Sequence, residues 1–270
     1  MQFALPITNQ PLLMRPSYDK HRQRRQVLKS ALLAPLGVLG IPDLSRAEAI
    51  NHQPQTSTDP LTVVFQGDSI TDAGRDRSRY YANDPGGMGG GYVRLIVTEL
   101  LASQPKDHIR CYNRGISGNK VYQLASRWED DCLQLKPQVL SILIGVNDFW
   151  HTLSSGYEGT PKIFDQDLRQ LLNRTFESIP NLKLILGEPF AVKGGRAITE
   201  AWKDKFPPYQ EIIRQIASDF KAPLVPYQKV FDEALELAPV SHWCPDGVHP
   251  SMAGASLMKD AWLEAYRKIM

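Results

Sequence analysis

The chain is 270 residues long with 42% hydrophobic and 22% charged residues, enough apolar sequence to bury one sizeable core and too much for a disordered or fibrous protein. Its 31 Lys and Arg against 29 Asp and Glu give a formal charge of +2, which excludes both a strongly basic nucleic-acid binder and an acidic solvating protein. No apolar run reaches the roughly 18 residues that span a bilayer.

The N-terminus differs from the rest. Residues 1–49 hold seven basic and three acidic residues, which leaves 24 basic and 26 acidic residues in the other 221 and a faintly acidic body. Lys20 to Lys29 is a cluster of cations, followed at once by the mostly apolar stretch Ala31 to Ile41. Ala47-Glu48-Ala49 then offers the small residues of a cleavage site. Residues 1–49 are read as an export signal, and Arg24-Arg25 resembles the twin-arginine type, whose cargo crosses the membrane folded. The expected location is periplasmic or extracellular, with no stable membrane insertion once the signal is removed; an amphipathic tail or a retained anchor is the alternative. Residues 50–60 are polar and Pro-containing and read as a linker to a domain over 61–270. The three cysteines allow at most one disulfide. Cargo folded before export carries reduced thiols, so Cys111 and Cys132 are expected as buried small hydrophobes, with Cys244 undecided.

The body alternates strands and helices. Leu61 to Gln66 is a β-branched apolar run stopped by Gly67-Asp68, and Tyr92 to Ala102 follows with helical periodicity. Ile109 to Asn113 is a second short strand, and Lys120 to Lys136 a helix. Val139 to Ile144 is apolar at almost every position, as in a parallel sheet covered on both faces. Helices at 164–179, 208–220, 230–237 and from Ser251 alternate with strands at 182–186 and 223–227. Five strands so spaced predict a single α/β domain with a five-stranded parallel sheet, and ligands in such folds sit at the carboxyl ends of the strands.

Those strand ends carry the chemistry. Gly67-Asp68-Ser69-Ile70-Thr71-Asp72 follows the first strand, Asn113-Arg114-Gly115-Ile116-Ser117-Gly118-Asn119 the second, and Gly145-Val146-Asn147-Asp148 the third, with Asp246-Gly247-Val248-His249-Pro250 near the C-terminus. A serine hydroxyl needs a base held in the right tautomer by a carboxylate. Ser69, His249 and Asp246 are the candidates for nucleophile, base and orienting acid. The backbone N–H groups of Ser69 and Gly115 and the side-chain amide of Asn147 are candidate oxyanion donors, Gly115 lacking a Cβ that would obstruct a substrate. Each block alone also reads as an ordinary turn or cap. Asp68, Arg75, Tyr92, Trp150 and Trp243 are candidate substrate contacts, against core packing for the aromatics and solvated surface for Arg75. Pro85 to Gly91 reads as a flexible loop over the site and Arg127 to Asp131 as an exposed or ion-paired helix face. His242, Cys244, Asp246 and His249 lack a short-spaced ligand motif, so no metal is expected.

In these blocks the chain resembles the SGNH, or GDSL-type, serine hydrolases over about residues 61–265. The four family letters fall on Ser69, Gly115, Asn147 and His249. The resemblance implies a flavodoxin-like three-layer α/β/α fold and an ester-cleaving Ser-His-Asp triad without metal or cofactor. Gly-Asp-Ser-Ile-Thr-Asp-x-Gly-Arg (67–75), Gly-Tyr-Val (91–93), Arg-Trp-Glu-Asp-Asp (127–131) and Gly-Val-Asn-Asp-Phe-Trp (145–150) look like those of bacterial acetylxylan esterases, implying an acetylated carbohydrate as substrate. Gly247 stands where those relatives commonly carry a larger or charged residue, and several relatives are cytoplasmic. The alternatives are a lysophospholipase or thioesterase of the same family, and a non-catalytic flavodoxin-like binding module. A homo-oligomer is one of the assembly states left open.

Overall fold

Six consecutive buried residues form β1 (Thr62–Gly67), an interior strand of the sheet. The structure, a computed structural model, describes residues 60–270; the export signal read over 1–49, and all of the linker except Pro60, lie outside the described residues. From β1 the chain turns directly into α1 (Ser69–Asp72), then runs through α2 (Tyr92–Ser103), β2 (Arg110–Asn113), α3 (Val121–Ser126), α4 (Trp128–Asp131) and β3 (Val139–Leu143). It continues through α5 (Val146–Ser154), α6 (Pro161–Ser178), β4 (Lys183–Gly187), α7 (Glu200–Lys205), α8 (Pro207–Asp219) and β5 (Leu224–Val225). The last elements are α9 (Tyr227–Leu235), α10 (Val240–Trp243) and α11 (Met252–Arg267).

The five strands are all parallel, in the order β2-β1-β3-β4-β5. The chain therefore leaves β1 to one side for β2 and returns to the other for β3, and the crevice where the direction reverses opens at the carboxyl ends of β1 and β3. Helices cover both faces. α2, α9 and α10 gather around α11, which lies against β4 and β5, while α6 packs on α3 and α8, and α8 on β4. This is the expected three-layer α/β/α arrangement. Both covers are apolar, so strand residues facing either way are buried, among them Val63, Val64, Leu140 and Ile185. The polar strand residues Gln66 and Ser141 are matched from the helical layers, by the Asp131 carbonyl and the Trp262 indole N–H, at 2.8 and 2.9 Å.

Several boundaries depart from the sequence reading for local reasons. The helix predicted over 120–136 is α3, α4 and a 3-10 turn at Leu133–Leu135, because Arg127 (φ −118°, ψ 9°) and Cys132 (φ −140°, ψ −66°) leave helical geometry. The break lets Arg127 bond Asp131 at 2.7 Å and Asn119 at 3.0 Å while Trp128 and Cys132 stay buried. α6 starts at Pro161 because Thr160 caps it, accepting from the Ile163 N–H, with proline in the first turn. β5 is only two residues, since Pro226 has no N–H to continue a ladder and instead precedes α9. α5, α7 and α10 have no counterpart in the sequence reading. The Pro85–Gly91 loop is tied down: Asp84 Oδ1 accepts from the N–H groups of Gly86 and Gly87, and the Gly90 N–H reaches the Ala73 carbonyl at 2.8 Å. All three cysteines are unpaired and buried, and burial pushes each thiol up to about 12.

Candidate active site

The crevice is assembled from four chain segments. Asp68 caps α1 by accepting from the Ile70 N–H at 3.0 Å, which makes Ser69 the first helical residue. Its N–H then has no acceptor inside the helix, and its side chain stands at the end of β1. Ser69 Oγ lies 2.8 Å from His249 Nε2, and His249 Nδ1 lies 2.7 Å from Asp246 Oδ2. The other carboxylate oxygen, Oδ1, accepts from the N–H groups of Val248 and His249 at 2.9 and 2.7 Å. Burial works against the Asp246 charge, but the bonds from the His249 backbone, the His249 ring and Val248 outweigh it and hold the acid below its ordinary range. An ionised carboxylate only accepts, so Nδ1 carries the imidazole proton and Nε2 is left to accept the Ser69 O–H.

That turn depends on Gly247. Its φ of +89° is left-handed, and a Cβ there would overlap Ile198 and approach the Val192 carbonyl to 2.8 Å. Segment Val192–Ile198 braces the turn: Val192 N–H donates to the Gly247 carbonyl at 2.8 Å and Ala197 N–H to the Asp246 carbonyl at 2.9 Å. A larger side chain at position 247 has no room against this brace. Nothing in residues 192–198 marks them as functional in the sequence.

The oxyanion candidates are arranged differently from the sequence expectation. Asn147 is buried in the first turn of α5, with Nδ2 donating to the Asn119 carbonyl at a long 3.3 Å and a second hydrogen to spare. Gly115 N–H is already engaged, donating to Asn113 Oδ1 at 2.9 Å. Its missing Cβ serves packing rather than substrate approach, since a side chain there would overlap α1 at Thr71 and Asp72. Arg75 is buried rather than solvated, and its Nε donates to the Gly115 carbonyl at 2.8 Å. Asp72 accepts from both the N–H and the hydroxyl of Ser117 at 2.8 Å, and also from Arg77. The turn that carries Gly115 is thereby clamped to α1 by Arg75 and Asp72.

The remaining candidates divide. Tyr92 is buried beside Ser69 and His249, its hydroxyl 3.0 Å from Thr71 Oγ1, and burial raises its pKa. Trp150 is half-buried with its ring 6.3 Å from that of His249, at the rim. Trp243 is turned to other duties, donating to the Ala238 carbonyl at 3.1 Å and packing on the core. Asp68 is fully buried; besides the Ile70 bond, its second oxygen has no partner. Burial first, then the nearby charges of Asp148 and Asp72, raise it to about 7. Asp148, also buried with an unpartnered oxygen, is raised to about 7 by burial and the Asp167 charge. Asn113, which sequence reasoning gave no role, holds three segments together: besides Gly115, it donates to the Thr71 and Met88 carbonyls at 2.7 and 2.9 Å. Among the described residues no group of three or more His, Cys, Asp or Glu is placed to hold a metal ion.

Comparison with known proteins places this site in a family. Residues 65–257, from the second half of β1 into α11, match the profile of the GDSL-like lipase/acylhydrolase family. The chain is 34% identical over 203 residues to an acetylxylan esterase of Geobacillus stearothermophilus, spanning 74% of this chain and 91% of that protein. Among solved structures, a GDSL-like lipase of Parabacteroides merdae shares 48% identity at a TM-score of 0.75, covering 76% of this chain and 94% of that one. The crystal structure of the Geobacillus acetylxylan esterase shares 33% identity at a TM-score of 0.68, covering 76% and 93%. With a matched profile over most of the domain and a serine, histidine and aspartate in hydrogen-bonded series at the mouth of its sheet, this chain belongs to the GDSL-like lipase/acylhydrolase family and is a carboxylic ester hydrolase.

Proposed function

We propose that the protein is an exported serine esterase that removes acetyl groups from carbohydrate, of the acetylated xylan or xylo-oligosaccharide kind. The observation that carries the reading is the continuous series Ser69 Oγ, His249 Nε2, His249 Nδ1, Asp246 Oδ2, with contacts of 2.8 and 2.7 Å. The likeness to the Geobacillus acetylxylan esterase over most of both chains supports the carbohydrate ester, and the cation cluster and A-x-A site before Ile50 support export.

In this mechanism Ser69 Oγ attacks the acetyl carbonyl carbon while His249 Nε2 takes the hydroxyl proton. The carbonyl oxygen becomes an oxyanion, held by the Ser69 N–H and the spare hydrogen of Asn147 Nδ2, with Gly115 N–H shared with Asn113 as a weaker donor. Collapse breaks the bond to the sugar oxygen, which takes the proton from His249. Acetyl-Ser69 remains. A water then attacks it, giving its proton to His249, and the second collapse returns that proton to Ser69 and releases acetate. Asp246 stays ionised throughout and stabilises the imidazolium. The testing experiment is acetate release from acetylated xylo-oligosaccharides by the full chain beside Ser69→Ala. Release abolished by the substitution is expected, and release that survives it would refute the mechanism.

A further inference from the structure

A cavity of about 120 Å³ is lined by both Ser69 and His249. Ile70, Ala73, Gly91, Tyr92 and Pro250, with Ala255 and Met258 of α11, complete the lining. Ile70, Tyr92, Ala255 and Met258 are all buried, and the Tyr92 hydroxyl is occupied by Thr71. Apart from Ser69 and His249, the lining side chains thus offer no free hydrogen-bonding group.

We infer that this cavity is the acyl-chain site and that Met258 sets the longest acyl group the enzyme accepts, at about four carbons. The inference rests on the serine-esterase reading of Ser69 and deepens it. An ester carbonyl on Ser69 has three substituent directions to accommodate: its oxygen faces the donors on Ser69 and Asn147, and the acyl chain and the alcohol take the other two. A sugar ring would strip its hydroxyls of water without replacing their hydrogen bonds in a small space lined mostly by apolar groups. An acyl chain has nothing to lose there. Apolar cavities of about 150 Å³ take a six-carbon ring, so about 120 Å³ matches a chain of roughly four carbons and stops a longer one. Trp150 lies outside the lining, beside His249 on the rim, and is left for the alcohol.

The test compares kcat/KM of the full chain on p-nitrophenyl acetate, butyrate, hexanoate and octanoate, so that the leaving group never changes. For the wild type the expected result is comparable acetate and butyrate and at least a tenfold drop at hexanoate. Met258→Ala deepens the cavity and is expected to raise the hexanoate-to-acetate ratio at least tenfold. Ala73→Leu, at a partly exposed wall position, is expected to lower the butyrate-to-acetate ratio at least tenfold and decides the matter if Met258→Ala does not fold. Ratios unchanged in both variants, a wild type that prefers octanoate, or a Met258→Ala shift confined to a series of acetates of different alcohols would overturn the assignment. A wild type inactive on every ester would instead remove the esterase reading beneath it.

Discussion

Asn147 and Gly247 bear on the proposed reaction by different physics. In the proposed mechanism Asn147 offers one amide hydrogen to the developing oxyanion, while its other hydrogen bonds the Asn119 carbonyl. Loss of one such donor elsewhere costs about 10²- to 10³-fold in kcat, so Asn147→Ala is expected to lower kcat by that order with KM nearly unchanged, read from steady-state kinetics. Gly247→Ala reaches the site through the backbone. The methyl group has no room against Ile198 and the left-handed φ disfavours it, so the substitution is expected to cost about 1–3 kcal/mol of stability and to lower kcat by misplacing His249. Equal melting temperatures for the wild type and Gly247→Ala would contradict that account. At this scale the sequence was highly legible where chemistry demands one residue type: serine, histidine and aspartate stood out because little else does their work. It was poor where geometry decides. No spacing shows that Asn113 occupies the Gly115 N–H, that Arg75 turns inward, or that Trp243 bonds Ala238 instead of lining the site.

The ends of β1 and β3 lead straight into the helix starts that carry Ser69 and Asn147, which is why the strands mattered most to read. β1, β3 and β4 are apolar at most positions because both sheet faces are covered, and that pattern survives in the sequence without knowledge of neighbours. Short helices were harder. α1 is four residues, too short for periodicity, and is defined by the Asp68 cap. α5 hides because its first turn carries Asn147 and Asp148, residues that equally suit a loop. The connection between these elements is Asn113, whose side chain ties β2 to α1 and to the 85–91 loop by three buried bonds. Asn113→Ala leaves two carbonyls and one N–H without partners and is expected to cost about 3 kcal/mol in urea unfolding. A change below about 0.5 kcal/mol would mean that water replaces these bonds.

For the molecule as a whole, buried acids set the pH response of stability. Asp68 and Asp148 have native pKa values near 7 against an unfolded value of 3.8. Between those limits the native state holds protons that the unfolded state has lost, so stability from these groups is full below about pH 4, falls as pH rises, and levels off above about 7. The loss is on the order of 4 kcal/mol for each group. Asp246 and Asp72 act in the opposite sense. Their native values are depressed, so they stabilise at neutral pH and that contribution is lost as pH falls through the native value. Asp68→Asn is therefore expected to gain melting temperature relative to the wild type from pH 5 to pH 8, and a difference independent of pH would contradict the assignment. The overall fold was legible because five apolar runs separated by helical stretches leave few arrangements, with the crossover rule selecting among them. The brace from Val192 to Ile198 was not, because it is made of backbone bonds that any sequence of suitable shape provides.

The proposed mechanism places the acyl group on Ser69. It is tested most directly by stopping the full chain during turnover of p-nitrophenyl acetate at low pH and mapping the acetyl group by peptide mass spectrometry. An acetyl group is expected on the peptide containing Ser69, absent in Ser69→Ala and accumulating when His249 is replaced by Ala after slow acylation. Acetylation at another residue, or undiminished turnover by Ser69→Ala with no acetylated peptide, would contradict it.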